Sequence, residues 1–215
     1  MGFRVRRENH FKCETLKSRK KHIKEETFVL PQQNKFSIYF ALSAIMSKIT
    51  VTLSDLAKMI DHSLLHPTMT DDEIRSGCLL AKQYDVATAC VKPYSIPLAK
   101  QILSNTDVKI CPVIGFPAGN STTSIKMQEA LEAVKLGGQE IDMVINIGKA
   151  LSGEWEYVEH EIKMINDLVV GSGAILKVIF ENDYLPDDKF KIRLCEICSK
   201  LKVAFVIMRE YCRER

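Results

Sequence analysis

A single lysine lies inside an apolar stretch that has the pattern of a buried strand. The stretch is residues 175–181, ILKVIFE, and the lysine is Lys177. Burying an ammonium among aliphatic side chains is costly unless its pKa falls or a partner compensates the charge. Because only the free amine attacks a carbonyl, a desolvated lysine of this kind is typical of imine-forming nucleophiles. The alternative is a lysine at a strand edge whose ammonium reaches water.

A second strand pattern offers a carboxylate to this lysine. In residues 140–146, EIDMVIN, strand alternation places Glu140, Asp142 and Asn146 on one face. If this strand neighbours the one with Lys177, Asp142 and Lys177 lie side by side on the same wall. A carboxylate there can carry protons as a carbinolamine collapses to an imine. Lysine and aspartate on adjacent parallel strands therefore predict class I aldolase chemistry.

Two other groups of residues could bind a metal. Cys195 and Cys198 form a C-x-x-C pair, but it falls inside a helical pattern and no second pair completes a tetrahedral site. Buried thiols are the favoured interpretation. His62 and His66 have helical spacing, but Pro67 follows and no nearby carboxylate-plus-His set completes a site, which favours packing in a loop. We therefore predict no metal site.

Charge and cysteine content limit the class of protein. Residues 1–45 hold ten Lys and Arg against four Asp and Glu, and the rest of the chain holds 20 against 23. The globular part is thus mildly acidic, and we do not expect it to bind nucleic acid. Seven cysteines, an odd number without a spaced framework, indicate a reducing compartment and predict the cytoplasm. No apolar run reaches the roughly 18 residues of a membrane span.

Strand and helix patterns alternate regularly from Leu53 onward. The first element is a short lead-in helix that we expect Ser54 to cap. Thr70 with Glu73 forms a capping-box signature at the start of the first long helix. The predicted strands are residues 58–62, 88–93, 109–116, 140–146, 175–181 and 203–208. The predicted helices are residues 70–84, 95–104, 121–136, 153–170 and 186–200.

This order predicts parallel strands with helical crossovers. A doubly wound sheet would carry a glycine-rich phosphate turn after its first strand, and residues 60–70 contain no glycine. The polar face of residues 140–146 instead suits the inner wall of a barrel. The predicted fold class is α/β, a TIM (β/α)8-type barrel that is incomplete, with about six of eight β/α units.

Three segments of the chain differ in composition. Residues 1–45 are basic and aperiodic, and we expect a disordered or non-native leader, with Met46 as a natural start; a targeting extension is the alternative. Residues 46–206 would form the partial barrel. Residues 207–215 would form a divergent C-terminal tail.

Five segments, in order, resemble successive motifs of the deoxyribose-phosphate aldolase family. They are IDHSLLHPTMT, ACVKPYSIPLAK, VIGFPAGNSTTSIKMQEA, GGQEIDMVINIG and LKVIFE. The resemblance implies a lyase that cleaves 2-deoxy-D-ribose 5-phosphate to D-glyceraldehyde 3-phosphate and acetaldehyde without metal or cofactor. It also implies a cytoplasmic enzyme that can form homo-oligomers. In this chain Lys177 would be the Schiff-base lysine and Asp142 the proton relay, and Asp61 and Cys90 would line the substrate pocket.

The resemblance ends abruptly after Val206. Ile207 stands where the family has a second lysine that lowers the pKa of the nucleophile, and the seventh and eighth strands are absent. Lys92 is the only other lysine that alternation places on the same wall. We therefore expect Lys177 to be mostly protonated and activity to be impaired. The alternative is a catalytically inactive truncated isoform, or a mispredicted product, that acts as an interaction protein.

Overall fold

The computed structural model of the protein describes residues 51–208 together with the short strand Gly2–Phe3. The strands are β1 (Gly2–Phe3), β2 (Ile60–Leu64), β3 (Thr88–Val91), β4 (Lys109–Ile114), β5 (Glu140–Val144), β6 (Ile175–Ile179) and β7 (Phe205–Ile207). The helices are α1 (Leu53–Ala57), α2 (Asp71–Tyr84), α3 (Ile96–Leu103), α4 (Thr123–Leu136), α5 (Ile147–Leu151), α6 (Trp155–Gly171) and α7 (Asp188–Lys200). Short 3-10 turns follow β3 and β6.

The strands form one sheet whose spatial order is the order of the chain, β1 to β7. Strands β2 to β7 pair in parallel, and β1 pairs antiparallel to β2. A parallel strand can be joined to the next only by a crossover, and here helices provide it. The six parallel strands curl into part of a barrel, so the prediction of an incomplete TIM-type barrel is confirmed.

The main core lies between the outer face of the sheet and the helices. Ile141 and Met143 of β5 and Leu176 and Val178 of β6 are fully buried there. Full burial of an aliphatic side chain contributes about 1.5–3 kcal/mol. A smaller apolar cluster, which includes Cys90, lies on the opposite, concave face. The outer faces of β5 and β6 thus pack against the helices.

The predicted boundaries of α2 and α4 are correct to within two residues. Thr70 caps α2, and both hydrogen bonds of the capping box with Glu73 are present. This arrangement satisfies two backbone N–H groups that a helix start leaves open. Helix α4 ends at Gly137, whose φ of 120° lies outside the range that other residues adopt comfortably.

The residue predicted to cap the lead-in helix was wrong. Thr52, not Ser54, caps α1, because its hydroxyl accepts from the Asp55 amide and the Asp55 carboxylate accepts from the Thr52 amide. Lys58 then closes the helix, so the first parallel strand begins at Ile60 rather than at residue 58.

The helix predicted over residues 153–170 matches α6 to within two residues, but the short helix before it was not predicted. Helix α6 begins at Trp155, and the additional short helix α5 precedes it. Asn146 caps α5 by accepting from the Lys149 amide at 3.1 Å. Gly153 separates the two helices with a φ of +76°, which a continuous helix cannot contain.

Most of the predicted leader, Met46 as the predicted start, and residues 209–215 of the predicted tail lie outside the described residues. Within the described part of the chain, no helix combines the length and hydropathy needed to cross a membrane.

Candidate active site

Lys177 lies at the centre of the concave face with only 1% of its side chain exposed. Its Nζ lies 2.8 Å from Asp61 Oδ2, 3.2 Å from Asp142 Oδ1 and 3.4 Å from Glu140 Oε2. Strand β6 has neighbours on both sides in the sheet, so the strand-edge alternative for this lysine is wrong.

The sheet register explains how these side chains meet. Asp142 and Lys177 are direct partners across the β5–β6 pair. Glu140 lies two residues before Asp142 and therefore shares its face. Asp61 comes from β2, and the curl of the sheet carries it to the lysine although 116 residues separate them. Thr88 donates to Asp61 Oδ1 at 2.7 Å and orients that carboxylate.

The net effect of these surroundings is to hold the lysine charged. Burial alone would lower the pKa of Lys177, but the negatively charged groups around it, with Asp142, Asp61 and Glu140 as the carboxylates, outweigh burial and raise that pKa. Burial also raises the pKa of the Cys111 thiol well above its ordinary value, so Cys111 is neutral at neutral pH. The three carboxylates therefore cause the shift. This direction of the pKa agrees with the expectation that Lys177 is mostly protonated, because the carboxylates outweigh the desolvation that would otherwise favour the free amine.

The buried position of Asp142 changes the pKa of its carboxyl group. Burial raises its pKa, while the Lys177 ammonium lowers it, and burial prevails. Its second oxygen accepts from Cys90 Sγ at 3.6 Å. A carboxylate with a raised pKa beside a charged amine can accept and return a proton, which is what imine chemistry requires.

Cys111 is a member of the site that sequence patterns did not single out. It faces Cys90 across the β3–β4 pair and is fully buried. Strand alternation in residues 109–116 places Cys111 on the same face as Val113, so the pattern could have assigned Cys111 to a face of this strand.

The one cluster of potential metal ligands among the described residues is Cys90, Cys111 and Asp142. The Lys177 ammonium at 3.2 Å from Asp142 disfavours a second cation there. The residues therefore fit a metal poorly.

The histidines and the C-x-x-C cysteines lie elsewhere. His62 is on β2 and half-buried, whereas His66 is exposed in the following loop, with its Nδ1 2.8 Å from Thr68 Oγ1. Cys195 and Cys198 lie on α7, half-buried and buried respectively.

The other lysine considered for this wall has a different role. Lys92 Nζ donates to the carbonyl oxygens of His66 at 3.0 Å and Met69 at 3.4 Å, so it holds the loop after β2. At the position where the family carries its second lysine, Ile207 pairs with Ile179 and brings an apolar side chain.

Comparison with known proteins identifies the family, although no protein-family model matches the chain. A deoxyribose-phosphate aldolase of Rhodopirellula baltica is 49% identical over 152 residues, which are 71% of this chain and 63% of that protein. A deoxyribose-phosphate aldolase of Caldanaerobacter subterraneus subsp. tengcongensis is 46% identical over 162 residues, which are 75% of this chain and 70% of that protein.

Solved structures agree in fold. A deoxyribose phosphate aldolase from Aeropyrum pernix superposes with a TM-score of 0.65 at 32% identity, over 72% of this chain and 64% of that one. An aldolase named QR15 gives a TM-score of 0.66 at 36% identity, over 71% of this chain and 66% of that one. The chain thus spans about two thirds of these relatives. The sequence identity, the parallel part-barrel and the lysine on its inner wall together show that this chain belongs to the deoxyribose-phosphate aldolase family.

Proposed function

We propose that the chain is a class I aldolase that cleaves 2-deoxy-D-ribose 5-phosphate to D-glyceraldehyde 3-phosphate and acetaldehyde through a Schiff base on Lys177. The observation that carries this proposal is the fully buried Lys177 ammonium with Asp142 at 3.2 Å. The names of the relatives give the substrate class. They also favour an aldolase over an interaction protein.

Lys177 and Asp142 have different roles in the proposed reaction, and the geometry supports this assignment. The free amine of Lys177 attacks the aldehyde carbon, and the carbinolamine loses water to give an iminium ion. The iminium accepts the electrons of the breaking C2–C3 bond as the C3 hydroxyl loses its proton. Glyceraldehyde 3-phosphate leaves, and protonation and hydrolysis of the remaining enamine release acetaldehyde. Asp142 carries protons in these steps, directly or through water.

Asp61 and Cys90 take the substrate-binding roles in this proposal. Asp61 lies on β2 within 2.8 Å of Lys177 Nζ, and Cys90 lies within 3.6 Å of Asp142. These short distances support contacts of both residues with a substrate bound to Lys177.

The charge balance predicts that the reaction is slow in this chain. Three carboxylates surround one ammonium, and Ile207 supplies no second charge. Only a small fraction of Lys177 is then the free amine at neutral pH. Because the rate of Schiff-base formation depends on the fraction of Lys177 that is the free amine, we propose an impaired enzyme rather than a fully active one.

The setting of the enzyme is part of the same proposal. Residues 46–206 form the catalytic unit, residues 1–45 a leader and residues 207–215 a divergent tail. The protein acts in the cytoplasm on a phosphorylated sugar and does not bind nucleic acid. A homo-oligomer is proposed because the Aeropyrum pernix relative is described as tetrameric.

Release of acetaldehyde from 2-deoxy-D-ribose 5-phosphate tests the activity. Purified full-length chain should release it slowly, and Lys177→Met should release none. Lys92→Met, which removes the other lysine considered for the inner wall, should stay close to wild type in rate. Equal rates for wild type and Lys177→Met would contradict the proposal.

A further inference from the structure

A second buried ion pair lies behind β5, on the helix side of the sheet. Lys126 of α4 and Glu161 of α6 are both 0% exposed, and Lys126 Nζ lies 3.0 Å from Glu161 Oε2. Buried lysines and glutamates are rare, so a pair that is wholly enclosed needs a specific reason.

Both members of the pair also hold the backbone at the carboxyl end of β5. Lys126 Nζ donates to the Val144 carbonyl at 2.9 Å. Glu161 Oε2 accepts from the Asn146 amide at 3.1 Å. The two contacts lie on either side of Ile145, two to four residues beyond Asp142. The strand that carries Asp142 is thereby tied to two helices at once.

Helix α4 holds the end of the neighbouring strand in the same way. Glu129, one turn after Lys126, accepts from the Gly115 amide at 2.7 Å, just beyond β4. Gly115 has a φ of +56°, and a Cβ there would lie 2.7 Å from Lys126 Cε. A glycine is therefore required for the lysine to pass beneath this loop.

Stability alone explains the pair poorly. Burial lowers the pKa of Lys126 and raises the pKa of Glu161, which shows that both charges are costly in this place. Well-packed apolar side chains of similar size often stabilise a protein as well as a buried ion pair does, or better. Apolar side chains cannot, however, bind the Val144 carbonyl and the Asn146 amide.

We propose that Lys126 and Glu161 are positioning residues, which fix the carboxyl end of β5 and so hold Asp142 at its distance from Lys177. The inference deepens the proposed function and rests on it for its catalytic consequence. Its structural part stands on the two hydrogen bonds of the pair with the end of β5, at Val144 and Asn146.

The test compares three full-length variants with wild type. Lys126→Met/Glu161→Leu removes the pair and fills its volume, so the fold survives even if Lys126→Met alone does not fold. Lys126→Met/Glu161→Gln restores an acceptor for the Asn146 amide. The matched control, Lys163→Met/Asp167→Asn, removes an exposed ion pair of 2.6 Å on the same helix α6.

Two measurements are made on each variant. Amide hydrogen exchange at Asn146 should become at least about tenfold faster in Lys126→Met/Glu161→Leu, and the glutamine variant should recover most of the protection. Borohydride trapping of acetaldehyde on Lys177 should slow about tenfold in the apolar variant at every pH from 7 to 9. The control should match wild type in both.

The outcomes separate the two proposals. Unchanged Asn146 exchange in the apolar variant overturns the positioning role, whether or not wild type forms an adduct. Faster exchange with unchanged trapping also overturns it, because Asp142 would then not depend on the pair. If wild type itself forms no adduct, the proposed function fails, and the exchange result alone decides whether the pair fixes β5.

Discussion

Asp142 of β5 and Lys177 of β6 are direct partners in a parallel sheet, and Asp142 Oδ1 lies 3.2 Å from Lys177 Nζ. Both side chains project from strands rather than from loops, so backbone hydrogen bonds fix their separation. The pair is enclosed by further carboxylates, so its protonation state follows from its neighbours. That dependence leads to the predictions below.

Replacing Lys177 by methionine should destabilise the protein. The substitution leaves Asp142, Asp61 and Glu140 without their shared ammonium in a buried site. Breaking a buried ion pair on one side costs about 3–5 kcal/mol. Urea denaturation at pH 7 measures the loss. Lys163→Met, which breaks an exposed pair, is the control and should change the midpoint little. Equal urea midpoints for Lys177→Met and Lys163→Met would contradict a stabilising role of the buried ion pairs of Lys177.

Adduct formation on Lys177 should rise with pH. The neighbouring carboxylates raise the pKa of this lysine, so the free amine is the minor form across the neutral range. Below the pKa, each pH unit multiplies the free-amine fraction about tenfold. The rate of acetaldehyde trapping with borohydride should therefore climb steadily from pH 7 to 9. A plateau below pH 8 would mean that the amine is already free.

Asp142→Asn should stabilise the protein at neutral pH while slowing trapping. Burial raises the folded-state pKa of Asp142 above its unfolded value. Such a group contributes stability that is present below its unfolded pKa, near 4, and lost as pH rises through the folded pKa. At pH 7 the ionised carboxylate thus opposes folding, and asparagine removes this cost. The urea midpoints of wild type and Asp142→Asn should diverge as pH rises from 4 to 7. If Asp142→Asn is less stable than wild type at pH 7, the predicted stabilisation is wrong.

Two glycines with similar positive φ angles should respond differently to alanine. A Cβ at Gly119, φ +66°, would collide with the carbonyl oxygen of Ile145, whereas a Cβ at Gly153, φ +76°, meets nothing within 4 Å. Gly153→Ala should cost about 1 kcal/mol from backbone strain. Gly119→Ala should cost about 1–3 kcal/mol more because the clash is with backbone. Thermal unfolding of both variants tests the difference, which similar losses would disprove.

The sequence patterns predicted the architecture and the central pair because both depend on simple periodicities. Alternation places Asp142 and Lys177 on their faces, and regular β/α order makes their strands neighbours. The capping box of Thr70 with Glu73 is equally local and was predicted correctly.

Other features depend on distances that no local pattern contains. The contact of Asp61 with Lys177 requires the curl of the whole sheet, and together with Asp142 and Glu140 it raises the lysine pKa. Lys126 and Glu161 lie in helices, where a charged residue ordinarily indicates a solvent-facing position. Their burial appears only when α4 and α6 pack against the end of β5.

Borohydride reduction of the full-length protein with acetaldehyde at pH 9, followed by peptide mass spectrometry, tests the central claim most directly. The account predicts one reduced adduct, on Lys177, that is lost in Lys177→Met and kept in Lys92→Met. An adduct confined to another lysine, or none at all beside a relative that traps normally, would contradict it.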